Sequence, residues 1–256
     1  MFSPRIIPVL LYRTGGLVKS VKFKNYTYIG DPINAVRIFN DCFADEIIIL
    51  DIEASKKNSA IDIQLVKEVG EEANMPFSVG GGISTLQQIY DRLQNGAEKV
   101  ILNTAALQNM AFVKEAADNF GSSTITVCAD IRKNLLGKYH VYSHKDGKSA
   151  GSHYLDYIKR IEDAGAGEII LQSVDNDGLM KGYDLKLYES VSKEINVPLV
   201  ALGGAGDIHD MEKLWNQSAV NSFSAGSMFV YFGKMKGVLI NYPKIDRNEF
   251  RRKFRS

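Results

Sequence analysis

The chain has 256 residues, of which 45% are apolar and 24% charged, with a formal net charge of +1. That length suits a single barrel-sized domain and does not require two. The near-neutral balance excludes an overall field that would favour nucleic acid or an anionic membrane, and no apolar run approaches the ~20 residues needed to span a bilayer.

The opening Met1-Phe2-Ser3-Pro4-Arg5 lacks the basic-then-apolar pattern of a secretion signal. Both cysteines, Cys42 and Cys128, are flanked by apolar residues and read as reduced core thiols. The expected compartment is the cytoplasm. β-rich apolar runs follow at 5–11, 46–51, 76–80, 99–103, 124–130, 168–172, 198–203 and 222–225. Most are continuous rather than alternating, as expected of strands covered on both faces. Helical signals lie between them. Asp31-Pro32 reads as an N-cap followed by proline at the first helical position. Ile61, Leu65 and Val69 mark one face of the next helix, and Ser84 or Thr85 opens another that ends near Asn95-Gly96. The stretch KNLLGKYHVYSHKDGK from Lys133 predicts a β-hairpin decorating the fifth strand-to-helix connection. The basic tail, Arg251-Arg252-Lys253 to Arg255, reads as a solvated helix end. Eight strands alternating with helices give a parallel α/β fold, closed or open.

An internal repeat favours closure. EIIILDIEAS from Glu46 answers to EIILQSVDNDG from Glu168, PFSVGGGIST from Pro76 to PLVALGGAGDI from Pro198, and KVILNTA from Lys99 to SFSAGSM from Ser222. The spacings agree: Glu46 to Gly80 is 34 residues and Glu168 to Gly203 is 35, while Gly80 to Thr104 and Gly203 to Ser227 are both 24. Two copies of a four-strand unit predict a TIM (β/α)8 barrel spanning 1–256 as one domain, with half-barrels near 1–122 and 123–256.

The working face of such a barrel lies at the C-terminal strand ends. Gly81, Gly82, Asn103 and Thr104 sit there in one half, and Gly203, Gly204, Gly226 and Ser227 in the other. Such glycines also serve plain tight turns, but pairs at equivalent positions across the mouth point to a ligand carrying two phosphates. Among the carboxylates, Asp130 ends strand five, Asp51 ends strand two, and Asp175 and Asp177 lie beyond strand six. Each could act as acid or base, and loop capping explains Asp175 equally well. The repeat mate of Asp130 is Leu11, which cannot transfer a proton. His140 and His144 lack further ligands, so neither a metal nor a redox cofactor is expected. At the opposite face Arg5, Glu46, Lys99 and Glu168 each stand at a strand start, a set that suits a stabilising salt-bridge plug.

Together these residues resemble the HisF family, the cyclase subunits of imidazole glycerol phosphate synthase. The opening RII, Val18-Lys19, Gly30-Asp31-Pro32, VGGGI, NTAA, the Asp130 strand end, GAGEI, GYD and GGAG fall in the family's order along nearly the whole chain. The resemblance implies a glutaminase (HisH-like) partner on the N-terminal barrel face. It implies ammonia passing up the barrel, and a phosphorylated substrate that is split and cyclised at the top. It also implies that Arg5, Glu46, Lys99 and Glu168 form an ammonia gate, that Asp130 and Lys19 are catalytic, and that Asp177 and Gly178 join the phosphate loops. The family's second catalytic aspartate falls at Leu11, where the usual CLDVKDGRVVKG is replaced by VLLYRTGGLVKS from Val9. That departure resembles the HisF-like (WbuZ-like) paralogues associated with amidation of surface-polysaccharide sugars. The alternatives are a histidine-pathway cyclase that tolerates Leu11, and a non-catalytic phosphate-binding scaffold that activates its partner.

Overall fold

The computed structural model describes residues 4–233 and 235–243. The predicted basic tail lies outside them. Eight parallel strands form the frame: β1 (Arg5–Arg13), β2 (Ile47–Asp51), β3 (Phe77–Gly80), β4 (Lys99–Leu102), β5 (Ile125–Lys133), β6 (Glu168–Ser173), β7 (Leu199–Leu202) and β8 (Ser222–Ala225). β1 pairs with both β8 and β2, and β5 pairs with β6 from Thr126 opposite Glu168 to Ile131 opposite Ser173. The sheet therefore has no open edge among these strands: it is a closed TIM barrel.

Alternation along each strand sorts the apolar residues into two cores. Ile7, Val9, Ile48, Ile101, Cys128, Ile170, Val200 and Leu202 point inward and fill the barrel. Their neighbours, among them Ile6, Leu10, Ile47, Ile49, Val127 and Ile169, point outward and pack beneath the helices. Being buried on both sides is what makes these runs continuous in sequence. The helices begin where side chains satisfy their first amides. Asp31 caps α1 (Pro32–Asp41) by accepting from the Asn34 amide at 2.8 Å, Asp62 caps α2 (Ile63–Glu72), and Thr85 caps α3 (Leu86–Gln94). Helices α4 (Thr104–Gln108) and α5 (Met110–Phe120) follow β4. α6 (Tyr154–Asp163), α7 (Leu185–Ser192) and α8 (Ile208–Gln217) complete the coat. Among the described residues no helix is long and apolar enough to cross a membrane.

The structure corrects several expectations. β1 runs two residues past Leu11 and turns into an antiparallel ribbon, Gly16–Val21 and Lys24–Gly30, that fills the first connection. Ile61 is buried but precedes α2, whose cap is Asp62. Cys128 is buried, whereas Cys42 is only half-buried because it is the C-cap residue of α1. β8 is followed by a short 3-10 turn and a two-residue strand pair instead of an immediate helix. In the fifth connection the expected hairpin is present: Tyr139–Ser143 folds back on the end of β5.

Helix α7 is fastened to the sheet by one hydroxyl. Tyr188, fully buried, donates to the Leu202 carbonyl at 2.6 Å and lies 3.2 Å from the Leu171 carbonyl. Replacing Tyr188 by phenylalanine leaves those carbonyls without their partner, and urea denaturation should show a loss of about 1–3 kcal/mol. An unchanged midpoint would mean that packing alone holds α7.

Candidate functional site

The C-terminal strand ends open into one cavity of about 300 Å³. Its walls bring together Lys19, Gly81, Gly82, Asn103, Thr104, Asp130, Asp177, Gly178, Gly203, Gly204, Gly226 and Ser227, with Leu11 beside them.

Asp130 is only 6% exposed, at the inward-facing end of β5. It accepts a hydrogen bond from the Asn103 amide at 3.1 Å and faces the Cys128 thiol at 3.7 Å. Burial pushes its carboxyl up to about 7, against those two hydrogen bonds, and the nearby Asp177 adds repulsion. A carboxyl with that affinity exchanges protons readily near neutral pH. Leu11, on the β1 side, offers no second acid. Leu50 and Ile52 continue the wall there, with the Asp51 carboxylate between them.

Lys19 reaches the cavity from the first ribbon strand and is 4% exposed. Its ammonium donates to the Val9 carbonyl at 2.7 Å, at the upper end of the β1–β8 seam. Burial lowers its pKa to about 8, partly offset by attraction to Asp177. The space it occupies exists because residue 226 is glycine: a Cβ there would lie 1.9 Å from Nζ. Asp177 accepts from the Ser20 hydroxyl at 3.3 Å and is reached by the Gln172 amide at 3.4 Å. Burial raises its pKa against the attraction of Lys19.

Gly82 and Gly204 adopt positive φ values of 63° and 115°. A Cβ would come within 1.8 Å of the Ser59 carbonyl oxygen at Gly82, and within 2.2 Å of the Gly182 carbonyl oxygen at Gly204. Packing against the second and sixth connections therefore demands glycine at both positions, in addition to any ligand. Two other carboxylates named from sequence are structural braces. Asp51 accepts from the backbone amides of Glu53 and Ala54 at 2.9 and 3.0 Å, and Asp175 accepts from the Lys133 amide at 2.7 Å.

Sequence reasoning missed the roof of the cavity and one wall residue. The ribbon tip brings Phe23 edge-on to His144 of the fifth-connection hairpin, with ring centroids 5.1 Å apart. Lys22 donates its backbone amide to the Asp177 carbonyl at 3.1 Å, which ties the ribbon to the sixth connection. Gln172 is the repeat mate of Leu50, and that polar-for-apolar difference was the available signal.

At the opposite face Arg5, Glu46, Lys99 and Glu168 converge. Arg5 binds Glu46 at 2.9 Å and also Glu168; Lys99 lies 2.6 Å from Glu168 and 3.7 Å from Glu46. Ser78 donates to Glu46 at 2.9 Å, and Arg5 donates to the Ser222 hydroxyl. The carboxylate side chains are 7% exposed, that of Lys99 15% and that of Arg5 31%, so the cations, above all the arginine, are the more accessible members of the ring. The two carboxyls are not equivalent. Burial raises Glu46 despite Lys99 and Arg5, whereas at Glu168 burial is outweighed by Arg5 and Lys99, which hold it low.

A family model described as histidine biosynthesis protein matches residues 5–236. The chain is 43% identical over 247 residues to a Pseudomonas aeruginosa protein provisionally named imidazole glycerol phosphate synthase subunit hisF2, covering 96% of this chain and 98% of that protein. It is 44% identical over 250 residues to a Leptospira interrogans protein provisionally named as subunit HisF of the same synthase, covering 97% and 98%. With the imidazole glycerol phosphate synthase subunit HisF of Alkaliphilus metalliredigens it shares 37% identity over 231 residues, covering 90% and 92%.

Asp130 carries a pH signature. Its folded pKa of about 7 lies above its unfolded value of about 3.9, so between those limits the folded chain holds a proton that the unfolded chain has released. The associated stability is complete below about pH 4 and is lost as pH rises through 7. Asp130→Asn removes the titration, so from pH 4 to 8 the variant should lose roughly 3–4 kcal/mol less than the parent. Parallel stability curves from denaturation at each pH would show that the Asp130 carboxyl is not raised.

Proposed function

This chain belongs to the HisF family of histidine biosynthesis proteins, and from that premise we propose that it is the barrel subunit of a glutamine-dependent synthase that passes ammonia to a sugar in surface-polysaccharide biosynthesis. In this reading a glutaminase docks on the strand-start face. The ring of Arg5, Glu46, Lys99 and Glu168 admits ammonia, and the cavity holds a phosphorylated ligand between the Gly81-Gly82-Asn103-Thr104 and Gly203-Gly204-Gly226-Ser227 loops, with Asp177 and Gly178 beside them.

The observation that carries the reading is Leu11. Asp130 remains at the end of β5, while its repeat mate on β1 is a leucine; the ring and both glycine loops are present. Cyclisation and cleavage need proton transfers that a leucine cannot perform. Delivery of a neutral nucleophile needs fewer. Asp130, poised near neutrality in the cavity that Lys19 also lines, favours a second reading in which the barrel keeps cyclase chemistry without an acid at position 11. Lys19 then serves as a cation next to the Gly226-Ser227 loop.

Two measurements separate these readings. With ammonium salt as nitrogen source, cyclisation of the bisphosphorylated ribulosyl substrate should run about 10²–10⁴-fold below an ordinary HisF-type rate, the usual loss for one proton-transfer group, and Leu11→Asp should raise it. Normal turnover by the unaltered chain would establish the cyclase reading. In the complex with the glutaminase, Lys99→Ala should change the ratio of glutamine-dependent to ammonium-dependent product formation. If only the melting temperature falls, in line with the ~3–5 kcal/mol lost when a buried pair is broken, the ring is a plug and ammonia does not pass it.

A further inference from the structure

Between the ring and the cavity the barrel interior is mostly aliphatic, occupied by Ile7, Ile48, Ile170 and Val200. Ser224 of β8 also faces inward, opposite Ile7, but its hydroxyl donates to the Ala201 carbonyl at 2.8 Å. β5 carries a longer polar line. Its residues Ile125, Val127, Ala129 and Ile131 belong to the helix-facing core, so Thr126, Cys128 and Asp130 are the ones that face inward. In the pairing with β6, Thr126 stands opposite Glu168 of the ring, Cys128 opposite Ile170, and Asp130 opposite Gln172. One strand thus carries polar atoms from the level of the ring to the level of the cavity. The cavity wall reaches down to Cys128, and Thr126 is the next inward position below it, about 6–7 Å along the strand.

Thr126 is 2% exposed, and its hydroxyl has no hydrogen-bond partner among the described residues. Other small hydroxyls near the ring are engaged: Ser78 donates to Glu46, and Ser222 receives Arg5. A buried hydroxyl without a partner is unfavourable, and valine would fill nearly the same volume without that penalty. The hydroxyl can donate and accept. The aliphatic stretch beyond it, with Ile48, Ile170 and Val200, disfavours a charged guest moving on toward the cavity, so what suits passage is small, neutral and hydrogen-bonding.

We propose that Thr126 is a binding station inside the barrel for ammonia, with water as the molecule of like chemistry, set at the level of the charge ring and below the cavity. The station rests on the reading that ammonia passes the ring. A guest released by the ring meets the Thr126 hydroxyl first, then the Cys128 thiol, and arrives beside Asp130. No bond is made or broken on the way.

The test uses the barrel–glutaminase complex and three substitutions. Thr126→Val keeps the shape and removes the hydroxyl, and Thr126→Ser restores it. Glutamine-dependent product formation should fall about fivefold relative to ammonium-dependent formation in Thr126→Val, the effect of one lost hydrogen bond, and recover in Thr126→Ser. The melting temperature of Thr126→Val should stay level or rise, which keeps a folding defect from imitating the result. High-resolution crystals of the barrel soaked in ammonium chloride at pH 9 should show an ordered molecule within hydrogen-bond distance of Thr126 Oγ1, and none in Thr126→Val. Soaks without ammonium separate a resident water from ammonia. A ratio unchanged in Thr126→Val, or no ordered molecule at the hydroxyl, overturns the station. If Lys99→Ala still changes the ratio, passage through the ring stands without it. If neither substitution changes the ratio, both ideas fall.

Discussion

The constraint on which this molecule depends is the two-residue period of strands closed into a ring. Once β5 pairs with β6 and β8 with β1, every second residue must face the barrel interior, where little room and little water are available. At the strand starts that rule gathers four charges, and they are tolerable there only because each finds an opposite charge within the same ring. In the middle it allows mainly aliphatic side chains, with Ser224 of β8 and the inward residues of β5 as exceptions. At the strand ends the barrel widens into loops, and the same rule delivers Asp130 and Leu11 to one cavity.

The chemistry at the top follows from how much water each group has lost. Asp130 and Lys19 are both held where their charged forms are disfavoured, so burial moves the carboxyl up and the amine down toward each other. Asp177, kept in place by Ser20, Gln172 and the ribbon, moderates the lysine. At the bottom the opposite arrangement holds: dense pairing keeps Glu168 ionised in spite of burial. Its ring neighbour Glu46, less fully compensated, is still raised by burial.

Much of this was legible in the sequence, for physical reasons that also mark what was not. The closed barrel could be read because strands buried on both sides leave continuous apolar runs, and because EIIILDIEAS and EIILQSVDNDG repeat the same two-faced requirement. The convergence of Arg5, Glu46, Lys99 and Glu168 followed from their common place at strand starts. The ribbon at 16–30 was not read. Its residues alternate only weakly, and its order depends on contacts with Asp177 and His144 from distant parts of the chain. Asp51 and Asp175 were named as acid–base candidates because a strand-end carboxylate looks alike in sequence whether it faces a ligand or caps its own loop. Only the hydrogen bonds to Glu53, Ala54 and Lys133 tell them apart.

The contact between Gly226 and Lys19 has a consequence for what either position can hold. The lysine amine occupies the volume that any larger residue at 226 would claim, and it comes from the other end of the chain. Any side chain at 226 would oblige the amine to leave the Val9 carbonyl, while a shorter residue at 19 would free that space. One shared volume thus couples two positions that more than two hundred residues separate along the chain.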